Sequence, residues 1–270
     1  MPANRLSFAL TDSYRERLNS IHGAVAGLAR VNWTRLDPAD LDGSYFAWRV
    51  VTLATLSAAQ GQAAVASAGY GSAFLTAELG EQATALKSPL SAYVGRSRDG
   101  RTLTDALASP LIAVKAALKQ GQGMQRALRA GQNRALRILW LEIDHAATDS
   151  LLRSVDADDR FEGWQRAVRG TCGACLGAAT GPSGGLLFPK HENCQCVVEP
   201  RVRGVRDRFP RPTGAALFAA MSQQEQDAAV GPEAAELVRS GAISLRELIG
   251  TSPQAQGDDC ITQKTLKALR

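Results

Sequence analysis

Apolar residues recur at steps of three and four through much of the first 160 positions. In TDSYRERLNSIHGAVAGLARVNW, Tyr14, Leu18, Ile21, Val25 and Leu28 form such a stripe, which predicts an amphipathic helix with His22 beside its buried side. The tract SYFAWRVVTLATLSAAQGQAAVASAGYGSAFLTAEL is rich in alanine and other small residues. That composition lets helices pack closely, and its glycines predict two helices rather than one. KSPLSAYVGRSRDGRTL, residues 87 to 103, reads as a polar connection. Ser109-Pro110 then offers an N-cap with proline at the first helical position, and Gly121 a stop, enclosing a short amphipathic helix.

From Met124 a longer helix is predicted, with Leu136, Leu139, Ile143, Ala147 and Leu151 as its buried stripe. Its first half carries Arg126, Arg129, Arg134 and Arg137, which read first as a solvated face and second as a surface for phosphate or a protein partner. Glu142, His145 and Asp149 fall on one side, with Asp144 close by, but their spacing matches no metal or acid/base motif such as H-E-x-x-H. A solvated polar face is the expectation there.

The periodicity breaks near residues 155 to 161, where glycine, proline, cysteine and arginine take over. CVVEPRVRGVRDRFPRP begins as a strand at Cys196 to Val198 and ends as an arginine-rich connection. Arg201, Arg203, Arg206, Arg208 and Arg211 cannot all lie on one strand face, so some are expected to meet phosphate or carboxylate. Helical signals return from Thr213. Ser222 and Glu225 form a capping box, Gly231-Pro232 punctuates, Gly241 ends a second short helix, and ISLRELIG reads as a third. The last twenty residues, with the isolated Cys260, read as a mobile or an anchoring peptide.

The chain is therefore expected to be α+β, mainly α. A helical domain over 1–160 precedes a small Cys/His-rich basic module over 161–212 with short strands, and a helical tail over 213–270. No run of about 18 uncharged apolar residues occurs, and the N-terminus has no basic start followed by an apolar stretch, which predicts a soluble chain without a cleaved signal. The formal net charge is +5, and nine Lys/Arg against four Asp/Glu lie between Arg160 and Pro212. A basic balance around the cysteines suits nucleic acid or an acidic protein surface.

Four of the five cysteines fall within CGACLGAATGPSGGLLFPKHENCQC, residues 172 to 196. Clustering and an odd total favour a reducing compartment with a metal site or free thiols. Cys172-x-x-Cys175 and Cys194-x-Cys196, separated by eighteen residues, have the spacing of the two halves of a zinc site. The neat set is all four cysteines with His191 hydrogen-bonded outside; Cys-Cys-His-Cys is the competitor, because C-x-C is a tighter bite. Two disulfides remain a rival. A thioredoxin-like centre lacks its βαβ setting, a Cys-His hydrolase lacks an orienting third group, and GPSGG lacks the strand-to-helix context of a nucleophile elbow.

The order C-x-x-C, glycine-containing loop, H-x-x-C-x-C, Val-Val-Glu-Pro resembles the C-terminal module of the phage Mu F-like family, minor head proteins of tailed bacteriophages also described as the SPP1-type head morphogenesis family. A tryptophan-containing turn usually precedes that module, as Gly163-Trp164-Gln165-Arg166 does here. The tail LFAAMSQQEQDAAVGPEAAELVRSGAISLRELIG is similar to the family's paired-glutamine helix followed by G-x-I-x-L-x-x-L. The chain departs from the family at Glu192 and Gln195, where proline and arginine or histidine are common. The resemblance covers residues 161 to 250. It implies a non-enzymatic virion component, inside the head near the portal, acting in head assembly and in genome packaging or delivery, and present in host cytoplasm during assembly. Its implied partners are the portal, the major capsid protein or scaffold, and viral DNA through Arg201 to Arg211; no membrane or small-molecule substrate is implied. A free-standing zinc module that binds DNA and a toxin-like enzyme carrying a Mu F-like module are the alternatives.

Overall fold

A computed structural model describes residues 3–80, 82–84, 86, 92–186, 188, 190, 194–205 and 211–248. The fold is α+β and mainly α, with one two-stranded antiparallel sheet among the described residues. In chain order the elements are α1 (Ala3–Trp33), α2 (Leu41–Leu79), α3 (Leu103–Ala106), α4 (Ser109–Lys119), α5 (Met124–Asp156), β1 (Phe161–Ala167), α6 (Gly173–Gly177), β2 (Val197–Val202), α7 (Gly214–Ala219), α8 (Gln223–Val230), α9 (Pro232–Arg239) and α10 (Leu245–Leu248). No helix among them is long and apolar enough to cross a membrane. His191, Arg206, Arg208 and Cys260, all singled out in the sequence, lie outside the described residues.

The chain forms two compact units. One comprises Asp12–Tyr70 and Ala85–Ser154; the other gathers Met1–Thr11, Gly71–Thr84 and Val155–Arg270. The first unit is built on long helices with small residues at their contacts. Ala63 and Ala64 of α2 and Ala146 and Ala147 of α5 are almost wholly buried, and Ser150 Oγ donates to the Ala64 carbonyl at 3.2 Å. Tyr14 stacks on Tyr70 with centroids 4.4 Å apart, and its hydroxyl pairs with Ser67 Oγ at 2.7 Å. Trp33, Tyr45 and Trp48 pack edge-on and tilted at 5.0 to 5.9 Å where α1 turns into α2. His22 is buried and stacked on Trp140 at 4.9 Å, a packing role for that histidine.

Two local expectations are corrected here. The alanine-rich tract is one helix, α2, rather than two. Its glycines keep helical backbone, because burial of Ala59, Ala63, Ala64, Ser67 and Tyr70 along one side outweighs their poor propensity. The acidic middle of α5 is also no solvated face, since Glu142 and Asp144 are buried. Glu142 accepts from Ser97 Oγ at 2.6 Å and from the Arg98 amide at 2.8 Å, and so holds the turn at 95–102 against α5. Buried Gln60 holds the same turn from α2, accepting from Gly95 N and donating to Arg96 O, both at 2.9 Å. Burial pushes the Glu142 carboxyl above the usual carboxylate range, and the two donors oppose that rise.

In the second unit, β1 and β2 pair with Trp164 opposite Pro200 and Gln165 opposite Glu199, with an irregularity at Phe161/Gly163. The tail helices close over α6. Leu176, Phe218, Val230, Ala234, Ala235, Leu245 and Leu248 form one buried cluster. The Ser222–Glu225 capping box starts α8, and Gly241, at φ +74°, ends the segment after α9. Gly214 sits so close to the Leu176 carbonyl that a Cβ would overlap it, and its amide donates to Ala179 O at 2.7 Å.

A similar close approach occurs in the first unit. A Cβ on Gly131 of α5 would run into Val114 of α4 and reach 2.9 Å from the Pro110 carbonyl. Gly131→Ala is expected to cost about 1–3 kcal/mol in urea unfolding through overpacking. Gly23→Ala, on α1 with nothing near its added methyl, should instead stabilise by about 0.5–1 kcal/mol. Equal effects would contradict the packing described.

Candidate metal centre

Short elements bring the cysteines together. Cys172 is the N-cap of α6 and Cys175 lies in its first turn, buried under the helix. Cys194 and Cys196 lead into β2 and are buried beside it. The sulfurs of Cys175, Cys194 and Cys196 all lie within 4.8 Å of one another, a grouping that can hold a metal ion. Cys175 and Cys194 Sγ are 3.5 Å apart, too far for a disulfide, which needs about 2.05 Å. Sulfurs bound to one tetrahedral zinc at about 2.3 Å would stand about 3.8 Å apart, so the spacing suits a shared ion. Cys172 is half-buried and outside that tight group, although it hydrogen-bonds to Cys175.

Hydrogen bonds from Cys172, Cys194 and Cys196, together with burial, push the Cys175 thiol far above its ordinary range. Cys196 is also raised: its bond to Cys175 lowers it, but Cys194 and burial outweigh that, and the nearby Arg166 cation also lowers it. Without a cation, three thiolates cannot share so small a dry volume. Soft thiolate donors and a closed, buried setting fit a structural ion, whose charge would reverse that balance and hold the sulfurs deprotonated.

The shell around the sulfurs comes from β1 and the loop after α6. Gly163-Trp164-Gln165-Arg166, expected as a turn, is strand; with four consecutive buried residues, Trp164 to Ala167, it shows no alternation to betray it. Trp164 exchanges backbone hydrogen bonds with Ser183 at 2.7 and 2.8 Å, and its indole N–H donates to Gly185 O at 3.0 Å. The pairing needs Gly163, because a Cβ there would collide with Ser183 O and its φ of +134° disfavours any side chain. Phe188 packs on Trp164 at 5.1 Å, and the buried Arg166 guanidinium lies 3.9 Å over the Phe188 ring. The loop between the two cysteine pairs is thus pinned at its middle.

Of the five arginines expected to meet DNA, the three among the described residues, Arg201, Arg203 and Arg211, each have partners within the fold. Arg201 pairs with Glu162 at 2.8 Å, and Arg203 donates to the carbonyls of Asp159 and Phe161 at 2.9 and 3.2 Å. Arg211 grips Glu199, donating from Nη2 at 2.6 Å and from Nε at 3.0 and 3.1 Å, and lies 4.0 Å over the Phe8 ring. Glu199 is about as buried as any residue, at 1 % exposure, and also accepts from Thr11 Oγ1 and Gln165 Nε2 at 2.8 Å each. This network joins the start of α1, both strands and the segment before α7. In the sequence Arg166 and Glu199 figure only as members of the tryptophan turn and of Val-Val-Glu-Pro, with no role of their own; the one available signal was that Glu199 interrupts the apolar Val197-Val198 run just before Pro200.

Comparison of the chain with protein-family models, with curated proteins and with solved structures returned no match. The chemistry of the centre therefore rests on its own residues. Arg211→Ala leaves the Glu199 carboxylate buried and unpaired, and is expected to cost about 3–5 kcal/mol in urea unfolding. Adding Glu199→Gln removes that charge and should recover a large part of the loss. A double variant no more stable than Arg211→Ala would contradict the assignment of the cost to the stranded charge.

Proposed function

We propose that the chain is a minor head protein of a tailed bacteriophage, resident inside the head near the portal, acting in head morphogenesis and in packaging or delivery of the genome. The observation that carries this reading is the order of chemistry in residues 161–250: a tryptophan segment, C-x-x-C, a glycine-containing loop, and H-x-x-C-x-C running into Val-Val-Glu-Pro, followed by the paired-glutamine tail. The fold supports treating those pieces as one object. The tryptophan strand pairs with the strand that follows C-x-C, and the tail helices share a buried cluster with the helix carrying C-x-x-C.

In this reading the module is a small fold clamped by zinc. Cys175, Cys194 and Cys196 supply three thiolates, and Cys172 supplies the fourth, with His191 as the alternative ligand. Zinc suits four soft donors in a closed site and adds folding energy rather than chemistry. No reaction is assigned to the protein. The long helices of the first unit would dock on the portal, the major capsid protein or scaffold. Support for docking comes from α2, which carries no charged residue from Val50 to Ala77 and leaves Phe46, Val50, Val51 and Val65 at least half exposed.

Mass spectrometry of purified particles of the phage or prophage that encodes the chain is expected to find it at low copy relative to the main shell protein. Phe46→Asp with Val50→Asp should reduce incorporation without loss of helix content. Absence of the wild-type chain from infectious particles would overturn the reading. Within the module, Cys172→Ser should lower the affinity for zinc at least tenfold in a chelator competition while Cys175→Ser prevents stable folding, and an unchanged affinity would pass the fourth position to His191.

A further inference from the structure

From Ala106 to Leu141 the chain carries six cationic side chains, Lys115, Lys119, Arg126, Arg129, Arg134 and Arg137, and no acidic one. Four of these lie on the first half of α5, a helix that begins at Met124, and all four are exposed. With 100° per residue, Arg126 and Arg137 fall almost in line, Asn133 lies between them, and Arg129 and Arg134 flank them on either side. The opposite side of the same stretch is buried through Ala127, Gly131, Ala135, Ile138 and Leu139, so packing holds the basic face outward.

An ordinary solvated helix face interleaves both signs of charge, because i to i+4 pairs stabilise it. This one does not: Lys115 of α4 is paired with Asp42 at 2.6 Å, while Arg126 and Arg129 have no carboxylate partner among the described residues. The excess is concentrated. The unit that contains α5 carries sixteen Lys/Arg against ten Asp/Glu over 12–70 and 85–154, so the rest of the chain is close to neutral. Meanwhile Arg201, Arg203 and Arg211, on and after β2, are engaged by Glu162, by backbone carbonyls and by Glu199.

We infer that the exposed arginine face of α5, Arg126, Arg129, Arg134 and Arg137, is a sequence-independent contact surface for the phosphate backbone of duplex DNA. Arginines spaced over three turns of a rigid helix span about 16 Å, enough to meet several phosphates of one strand. Guanidinium forks grip phosphate oxygens in pairs, and Asn133 adds an uncharged donor in the same row. Apolar groups on this face are few, which suits a backbone contact rather than stacking on single-stranded bases. The inference draws on the virion reading only for the source of the DNA; the binding itself is a property of the purified chain.

Fluorescence anisotropy of the full chain with a labelled duplex of arbitrary sequence, titrated from 50 to 300 mM salt, tests it. Each phosphate contact contributes about −0.9 to the slope of log K against log salt, so a slope of about −3 to −4 is expected. Arg126→Gln with Arg129→Gln should lower its magnitude by about 1.8 and weaken binding about ten- to hundredfold at 0.1 M salt, with circular dichroism and melting unchanged. The inference is overturned if the wild-type chain fails to bind the duplex at 50 mM salt, if it prefers single strands, or if the Arg126/Arg129 variant keeps the wild-type slope. None of these outcomes bears on whether the chain is present in particles, so failure here and failure of the virion reading are separately visible.

Discussion

Three sulfurs buried within 4.8 Å of one another set the terms for the whole second unit. Cys175 arrives on a five-residue helix and Cys194 and Cys196 on the approach to a strand, elements too short to persist alone. Their meeting fixes where α6 lies against β2, and α6 in turn offers Leu176 to the cluster formed by the tail helices. Thiols crowded in this way gain little by packing alone. Hydrogen bonds from the neighbouring sulfurs and burial hold the Cys175 thiol far above its ordinary range and Cys196 is raised too, which is why the arrangement reads as a clamp that wants an ion.

A second constraint works beside the first. Glu199 is a fully buried carboxylate, tolerated because Arg211, Gln165 and Thr11 supply donors to both of its oxygens. Those partners come from the start of α1, from β1 and from the segment before α7, so one charge registers three separate stretches of chain. The arginine lies over Phe8 and is therefore both counter-ion and packing surface. In this way the basic run after β2, which looks in sequence like a nucleic-acid tether, is partly consumed in building the fold. Exposed positive charge is also carried by α5, at Arg126 and Arg129 among others.

Much of the architecture was legible because it depends on local chemistry. The start of α5 at Met124, the Ser222–Glu225 box and the stop at Gly241 each follow from caps and periodicity acting over a few residues. The mainly helical α+β class and the grouping of Cys175 with Cys194 and Cys196 followed from the same kind of signal, two short cysteine-pair spacings separated by a loop. What escaped depends on partners distant in sequence. β1 is covered on both faces and so shows no alternation, α2 stays continuous through its glycines because neighbouring helices bury it, and Glu142 is buried because Ser97 and Arg98 come back to meet it. The pairing of Glu199 with Arg211 belongs to the same class: twelve residues apart, yet joined only once the strand and the following segment are placed.

The central claim, that the cysteines are a metal clamp rather than a set of idle thiols, is open to one direct measurement. X-ray absorption at the metal edge of the purified full chain is expected to show a single tightly held ion with a first shell of sulfur at about 2.3 Å, three or four atoms strong. A chain that purifies without metal and whose four thiols all react freely with a thiol reagent under native conditions, or an ion surrounded by oxygen and nitrogen alone, would contradict it.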